Sequence, residues 1–251
     1  MNLAIIQARM SSIRLPGKVL KFIGNEILID IIYNRISHSK AVDKIIVACT
    51  TKSSDDILIE HLTNNNIDFF RGDEDDVLSR FYLAAKDYNP INVVRITCDD
   101  PLKEPSLIDK ALDLITKTGS DYVSNTITPS YPEGLDVEVF TFKALEKAYL
   151  KAKLPSEREH VTPYIWKNAK LFKVTEFCFI LDASSLRWTV DKKADLDFFN
   201  AVEGKLGPLS NLKFEDLLFF LIKNPEFAEI NNKTIRNEGY LKSIQEEMDV
   251  Q

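Results

Sequence analysis

Four short runs rich in β-branched residues recur along the first hundred positions: Leu3 to Ile6, Lys44 to Cys49, Ile67 to Phe70 and Ile91 to Thr97. The stretches between them carry apolar residues at helical spacing. Ile27, Ile31, Ile32 and Ile36 mark a helix over Ile27 to Lys40, Ser53 with Asp56 forms a capping-box start for a helix through Leu62, and Val77, Phe81, Ala84 and Ala85 mark a third. Strands separated by helices need crossover connections, and both faces of the resulting parallel sheet must then be covered. The alternation predicts a three-layer, Rossmann-like α/β fold with a mostly parallel central sheet. Downstream, Ser106 and Asp109 cap a helix through Lys117, and strands are predicted at Asp121 to Asn125, Gly134 to Phe140 and Leu186 to Val190. An amphipathic helix comes next, at Phe214 to Lys223.

At 251 residues the sequence suits one domain with a sizeable core. A net charge of -6 argues against nucleic acid as the main partner, since phosphate backbones select a basic face. Cys49, Cys98 and Cys178 are far apart and form no CxxC pair, so neither a zinc site nor a disulfide framework is indicated and a reduced, cytoplasmic compartment fits. The N-terminus lacks the pattern of a signal peptide, and no apolar run is long enough to span a bilayer, so membrane insertion is not expected.

The cations that do cluster lie just after the first strand, in Gln7-Ala8-Arg9-Met10-Ser11-Ser12-Ile13-Arg14-Leu15-Pro16-Gly17-Lys18. Open α/β sheets bind ligands at the carboxyl ends of their strands. Arg9 and Arg14 offer forked donors, Lys18 a point charge, and the small residues Ala8, Ser11, Ser12 and Gly17 allow backbone N–H groups to approach a phosphate. The loop is not a Walker A sequence, because Val19 comes directly after Gly17-Lys18. At the next strand ends, Thr50, Thr51 and Ser53 could contact a base or ribose, or serve as turn and cap. Glu74, Asp75 and Asp76 suit the positive end of a helix dipole.

Carboxylates gather at later strand ends. Asp99-Asp100 precedes Pro101, which blocks immediate helix continuation and leaves at least one acid in the crevice. Asp136 and Glu138 share one face of an alternating segment, where they could bind sugar hydroxyls, assist a metal or face water. Asp191 closes the late strand, by default as an N-cap. A hard Mg²⁺ needs one or two such acids, with phosphates and water completing its shell.

Several of these stretches together resemble the nucleotide-sugar cytidylyltransferases, in particular the spore-coat polysaccharide branch related to the synthetases of CMP-activated 3-deoxy-octulosonate and sialic acids. The resemblance runs through Ala4 to Leu20, Arg71-Gly72-Asp73, Thr97 to Leu102, Asp121 to Asn125, Gly134 to Glu138, Arg158 to Ile165, Trp188 to Leu196 and Arg236 to Ser243. Ser11 and Cys98 stand where the family pattern has glycine. The resemblance implies transfer of CMP from CTP to a sugar acid or related sugar, with Mg²⁺ or Mn²⁺ on Asp99 and Asp191. Arg9, Arg14 and Lys18 would act on the triphosphate, with Ala8, Ser11, Ser12, Thr50, Arg71 and Asp73 around the nucleotide. Ser124, Asn125, Asp136, Glu138, Arg158 and His160 would line the sugar site, although a lone histidine is more often a hydrogen-bonded structural one. It further implies a nucleotide half over about 1–125, a sugar half over about 126–210, a helical extension over 211–251, and a homodimer with a pairing hairpin near 128–180. A nucleotidyltransferase of other base specificity, a glycosyltransferase and a non-catalytic nucleotide-sugar sensor remain as alternatives.

Overall fold

The computed structural model describes residues 1–250. Strands β1 (Asn2–Gln7), β4 (Lys44–Thr50), β5 (Phe69–Gly72) and β6 (Asn92–Thr97) are joined by helices α1 (Leu28–Ser37), α2 (Asp56–Asn64) and α3 (Val77–Lys86), and a small β2 (Phe22–Ile23) to β3 (Glu26–Ile27) hairpin precedes α1. After α4 (Pro105–Thr118) come β7 (Tyr122–Ser124), β8 (Glu138–Thr141), α5 (Phe142–Lys151), α6 (Pro155–His160), α7 (Pro163–Trp166) and β9 (Val174–Glu176). The chain closes with α8 (Lys193–Leu206), α9 (Phe214–Lys223), α10 (Pro225–Ala228) and α11 (Glu238–Val250).

Among the described residues the central sheet has seven strands in the order β5-β4-β1-β6-β8-β7-β9. Only β8 is antiparallel to its neighbours, β6 and β7. That reversal matters for function. It brings the first residue of β8, Glu138, to the edge where the other strands end, opposite Arg95 and Ser124. Alternation along β1 divides the core, with Ala4 and Ile6 packing under α1, α2, α4 and α8. Leu3 and Ile5 face the other way, toward α3 and α5. The three-layer α/β reading of the sequence is therefore realised.

Two predicted strands differ. Leu186 to Val190 forms no ladder, because it runs beside loops: Trp188 N donates to Glu133 O at 2.7 Å and Val190 N to Asp99 O at 2.7 Å. The Gly134 to Phe140 segment is irregular until Glu138, since Gly134 adopts φ 105° and its missing side chain lets Trp188 O approach to 2.1 Å of where a Cβ would stand. In the 128–180 region, where a pairing hairpin was expected, both strands β8 and β9 join the central sheet, and helices α5, α6 and α7 lie between them.

Candidate active site

Gly17, at φ 67°, donates its N–H to Met10 O at 3.0 Å and so closes the basic loop on itself. Met10 N is in turn held by the buried Asp55 at 2.8 Å, which also accepts from Thr50 N at 2.8 Å and Thr50 Oγ1 at 2.7 Å. One buried acid thus ties the loop to the end of β4. Lys18 emerges from this clamp toward the ends of β6 and the 187–191 segment. Its Nζ donates to Asp99 Oδ2 at 2.9 Å, Asp191 Oδ1 at 2.9 Å and Val190 O at 3.0 Å.

Burial alone would lower the Lys18 pKa, but the two carboxylates outweigh it and raise it, so the ammonium stays charged. Burial likewise works to raise Asp99, and Lys18 reverses the sign, leaving Asp99 below the usual carboxylate range. Arg14 adds a second cation, 2.7 Å from Asp191 and 2.7 Å from Glu238. Three charged residues far apart in sequence, Lys18, Asp99 and Asp191, therefore meet at the carboxyl edge of the sheet.

Asp191 is oriented from behind. Arg187, almost completely buried, donates to Asp191 at 3.0 Å, to Glu133 at 2.7 Å and to Asp195 at 2.9 and 3.1 Å. Asp195 also accepts from the backbone N–H groups of Asp191 and Lys192 at 2.9 and 2.8 Å. A charge pair this buried is stable only when its remaining donors and acceptors are met, and here they are.

Arg14, Asp99, Glu133, Arg187 and Asp191 line one end of a cavity of about 580 Å³, whose wall continues through Asp100, Lys103, Asp136, Glu138 and Tyr240. Burial pushes the Asp100 carboxyl up to about 7, although Lys103 Nζ lies 2.7 Å away. Glu138 pairs with Arg95 and accepts from Tyr122 at 2.7 Å and Thr162 at 2.5 Å. Asp136 pairs with Arg236 at 2.5 Å. A second cavity of about 110 Å³ lies by Gln7, Ala8, Arg9, Val77 and Arg80, and His160 borders both spaces.

Of the residues assigned from the sequence, Arg14, Lys18, Asp99, Asp136, Glu138, His160 and Asp191 come together around or beside the large cavity, and Ala8 and Arg9 border the small one. The others are engaged elsewhere. Ser11 donates to Glu74, which also lies 3.7 Å from Arg9, so Glu74 braces the loop instead of the α3 dipole. Ser12 has no side-chain partner and lines neither cavity among the described residues.

Thr50 is spent on Asp55, and Arg71 on the Thr50 and Lys52 carbonyls and Asp56. Asp73 accepts the Asp75 and Asp76 N–H groups at 2.8 Å each, while Asp76 itself caps α3 through Ser79 N. Ser124 and Asn125 are buried and pin the loop before β8 through Val137 and Leu135. Arg158 reaches back to Asp76 and the Tyr149 carbonyl, away from the large cavity. Thr50 and Asp73 take the short-range turn roles their side chains favour, whereas Arg71, Asn125 and Arg158 are held by more distant partners.

Sequence reasoning did not find Arg95 or Glu133, which meet Glu138 and Arg187 far along the chain, nor Lys103 or Arg187, whose nearby partners Asp100 and Asp191 were read for other roles. Arg236 was quoted only as part of a terminal motif, yet it donates to Tyr131 O at 3.0 Å as well as to Asp136.

The profile of the family described as Cytidylyltransferase matches residues 3–202 of this chain. An uncharacterised protein of Methanocaldococcus jannaschii is 42% identical over 240 residues, covering 95% of this chain and 97% of its own. The spore coat polysaccharide biosynthesis protein SpsF of Bacillus subtilis is 34% identical over 233 residues, 90% of this chain and 96% of its own. The solved structure of a cytidylyltransferase from Leptospira borgpetersenii superposes with a TM-score of 0.86 at 32% identity, over 93% of this chain and 98% of that one.

Proposed function

The chain belongs to the cytidylyltransferase family, and we propose that it transfers CMP from CTP to a sugar acid or related sugar, releasing pyrophosphate, in the synthesis of a surface polysaccharide or glycoconjugate. The observation that carries this is the Lys18 ammonium held between Asp99 and Asp191 at 2.9 Å each, with Arg14 alongside. Nucleotidyl transfer makes no demand for a covalent intermediate. It asks for cations around the triphosphate and for a fixed approach of the acceptor.

Asp99, Asp191 and the Val190 carbonyl are hard oxygen donors that already surround one cation, the ammonium, so the set fits Mg²⁺. Among the described residues no cluster of three or more His, Cys, Asp or Glu could hold an ion alone, which suits an ion whose shell is completed by phosphate and water. Bound there by Asp99 and Asp191, Mg²⁺ would offset charge on the triphosphate and polarise the α-phosphoryl group.

In this reading the base enters the small cavity by Ala8 and Arg9, and the sugar enters the large one. Lys18 and Arg14, both cationic, stabilise charge that grows on the departing pyrophosphate. A hydroxyl or phosphate oxygen of the acceptor forms a bond to the α-phosphorus as the bond to the pyrophosphate oxygen breaks, and a hydroxyl acceptor gives up its proton to solvent. Arg187, Asp195 and Glu133 hold Asp191 in place throughout.

The test is pyrophosphate release from each of the four ribonucleoside triphosphates with Mg²⁺, in the presence of 3-deoxy-manno-octulosonate, sialic acids and related sugars. Turnover confined to CTP is expected. Release from another triphosphate alone would replace the base assignment, and binding of CTP without release for any sugar would favour a sensor.

A further inference from the structure

His160 borders both cavities, and the groups that hold its ring decide which nitrogen it presents to them. Its Nε2 lies 3.0 Å from Ser243 Oγ on α11, while Nδ1 has no partner among the described residues. Ser243 Oγ in turn lies 2.8 Å from Glu159 Oε2 and 3.1 Å from Gly239 O. A serine hydroxyl has a single proton. If it went to His160, two oxygen contacts at hydrogen-bond distance would have no proton between them. Given to the carboxylate, the stronger acceptor, it leaves Ser243 Oγ to accept from the ring.

Resting on the nucleotide reading above, we infer that Glu159 and Ser243 hold His160 as the Nε2–H tautomer, and that its unprotonated Nδ1 accepts a hydrogen bond from a ribose hydroxyl of the bound nucleotide. The chemistry of the junction selects that group. A base seated in the small cavity is joined to ribose and, through it, to phosphate. A neutral ring with a bare lone pair repels phosphate oxygen and attracts a hydroxyl. Burial keeps the ring neutral by lowering its pKa to about 4, against the pull of Glu159. The Tyr240 ring, its centroid 5.1 Å from that of His160 and its plane nearly perpendicular, packs against the imidazole and fixes its plane. His160 would thus touch substrate, and Ser243 and Glu159 act through it as positioning residues, one of them from a helix beyond the part of the chain that the family profile matches.

Two measurements on the full-length protein test this. Nitrogen-15 spectra of the histidine rings should show His160 protonated at Nε2 alone, with its Nδ1 resonance moving upfield when CTP and Mg²⁺ are added. In Ser243→Ala the two tautomers should mix. Calorimetry should show CTP binding more tightly than 2′,3′-dideoxy-CTP by roughly five- to ten-fold, the range for one or two neutral hydrogen bonds. That preference should fall to about two-fold or less in Ser243→Ala and in His160→Ala. A ring protonated at Nδ1, or equal affinity of the wild type for CTP and its dideoxy analogue, would overturn the inference and leave the nucleotide reading standing. No binding of CTP at all would overturn both.

Discussion

Replacing Lys18 by methionine keeps an unbranched side chain in the crevice and deletes only the ammonium. The lost contacts are hydrogen bonds to Asp99 and Asp191 at 2.9 Å and to Val190 O at 3.0 Å, made by a side chain only 12% exposed. Two carboxylates are left facing one another. Removing one partner of a buried pair costs about 3–5 kcal/mol. Asp191 keeps Arg14 and Arg187, and Asp99 is 25% exposed, so the lower end applies, about 3 kcal/mol. At about 2–4 °C per kcal/mol for a chain of this length, Tm should fall by roughly 6–12 °C in buffer with EDTA.

A divalent ion can then take the place of the ammonium. Free Mn²⁺ or Mg²⁺ at about 100 times its Kd returns about 2.7 kcal/mol, so Lys18→Met should recover most of its lost Tm. The wild type, whose site already holds a cation, should gain far less without nucleotide. Turnover of the variant should remain down by on the order of 10²- to 10³-fold, because the metal restores charge balance between the aspartates and not the contact to phosphate. Differential scanning calorimetry across a metal titration reads the stability effects, and pyrophosphate release reads the turnover. If Lys18→Met melts within about 2 °C of wild type in EDTA, or if metal raises both proteins equally, the shared cation position is wrong.

Asp195→Ala should cost about 3–5 kcal/mol by urea denaturation, since it strips Arg187 of two hydrogen bonds and frees the Asp191 backbone; an unchanged urea midpoint would contradict that role. Gly134→Ala places a methyl group 2.1 Å from Trp188 O at a positive φ, and a loss on the order of 3 kcal/mol or more, seen as poor soluble yield or an early melt, is expected. His160 is neutral in the fold and its pKa of about 4 lies below the unfolded value near 6.5, so the unfolded chain binds the extra proton. Its contribution is complete above pH 6.5 and is lost as pH falls from there toward 4, by up to roughly 3 kcal/mol, and His160→Gln should flatten that part of the stability profile. Arg158→Ala should lower Tm through the lost Asp76 contact yet leave the KM for the acceptor sugar within about two-fold, as its side chain points away from the large cavity.

The layers of the fold were legible because they are written locally. Apolar runs of strand length and helical spacing over 27–40 and 77–85 reflect burial that each element needs by itself, and the resulting sheet has β1, β4, β5 and β6 where those runs predict them. The reversed strand β8 was not legible as such, since alternation has the same period in either direction. At the site, Lys18 and Arg14 stood out as cations at a strand end. Asp99 and Asp191 needed the family resemblance to be paired, because nothing in either local stretch encodes the other. Arg71, Asp73, Thr50 and Arg158 are the converse case: polar residues expected as ligand groups, they are engaged in this structure by backbone and side-chain partners, some close in sequence and some distant.

The terminal stretch Arg236 to Ser243 shows where the missing signal lay. Taken alone it offers an arginine, a glutamate, a tyrosine and a serine at no catalytic spacing, and so no chemistry. In the fold four of its residues meet elements far upstream: Arg236 meets Asp136, Asn237 N meets Glu133, Glu238 meets Arg14 and Lys192, and Ser243 meets Glu159 and His160. All of those partners but Lys192 belong to the basic loop, to the Asp191 support or to the wall of a cavity. Arg236 and Asn237 precede α11 while Glu238 and Ser243 lie on it, so the stretch ties that helix to the site through three side chains and one backbone N–H. The sequence had assigned Arg14 to the triphosphate and Asp136 and His160 to the sugar, and had given Glu133 and Glu159 no role at the site. With 32 basic and 38 acidic residues in the chain, sign alone selects no pair, and it is the fold that brings Asn237 to Leu241 to the wall of the large cavity.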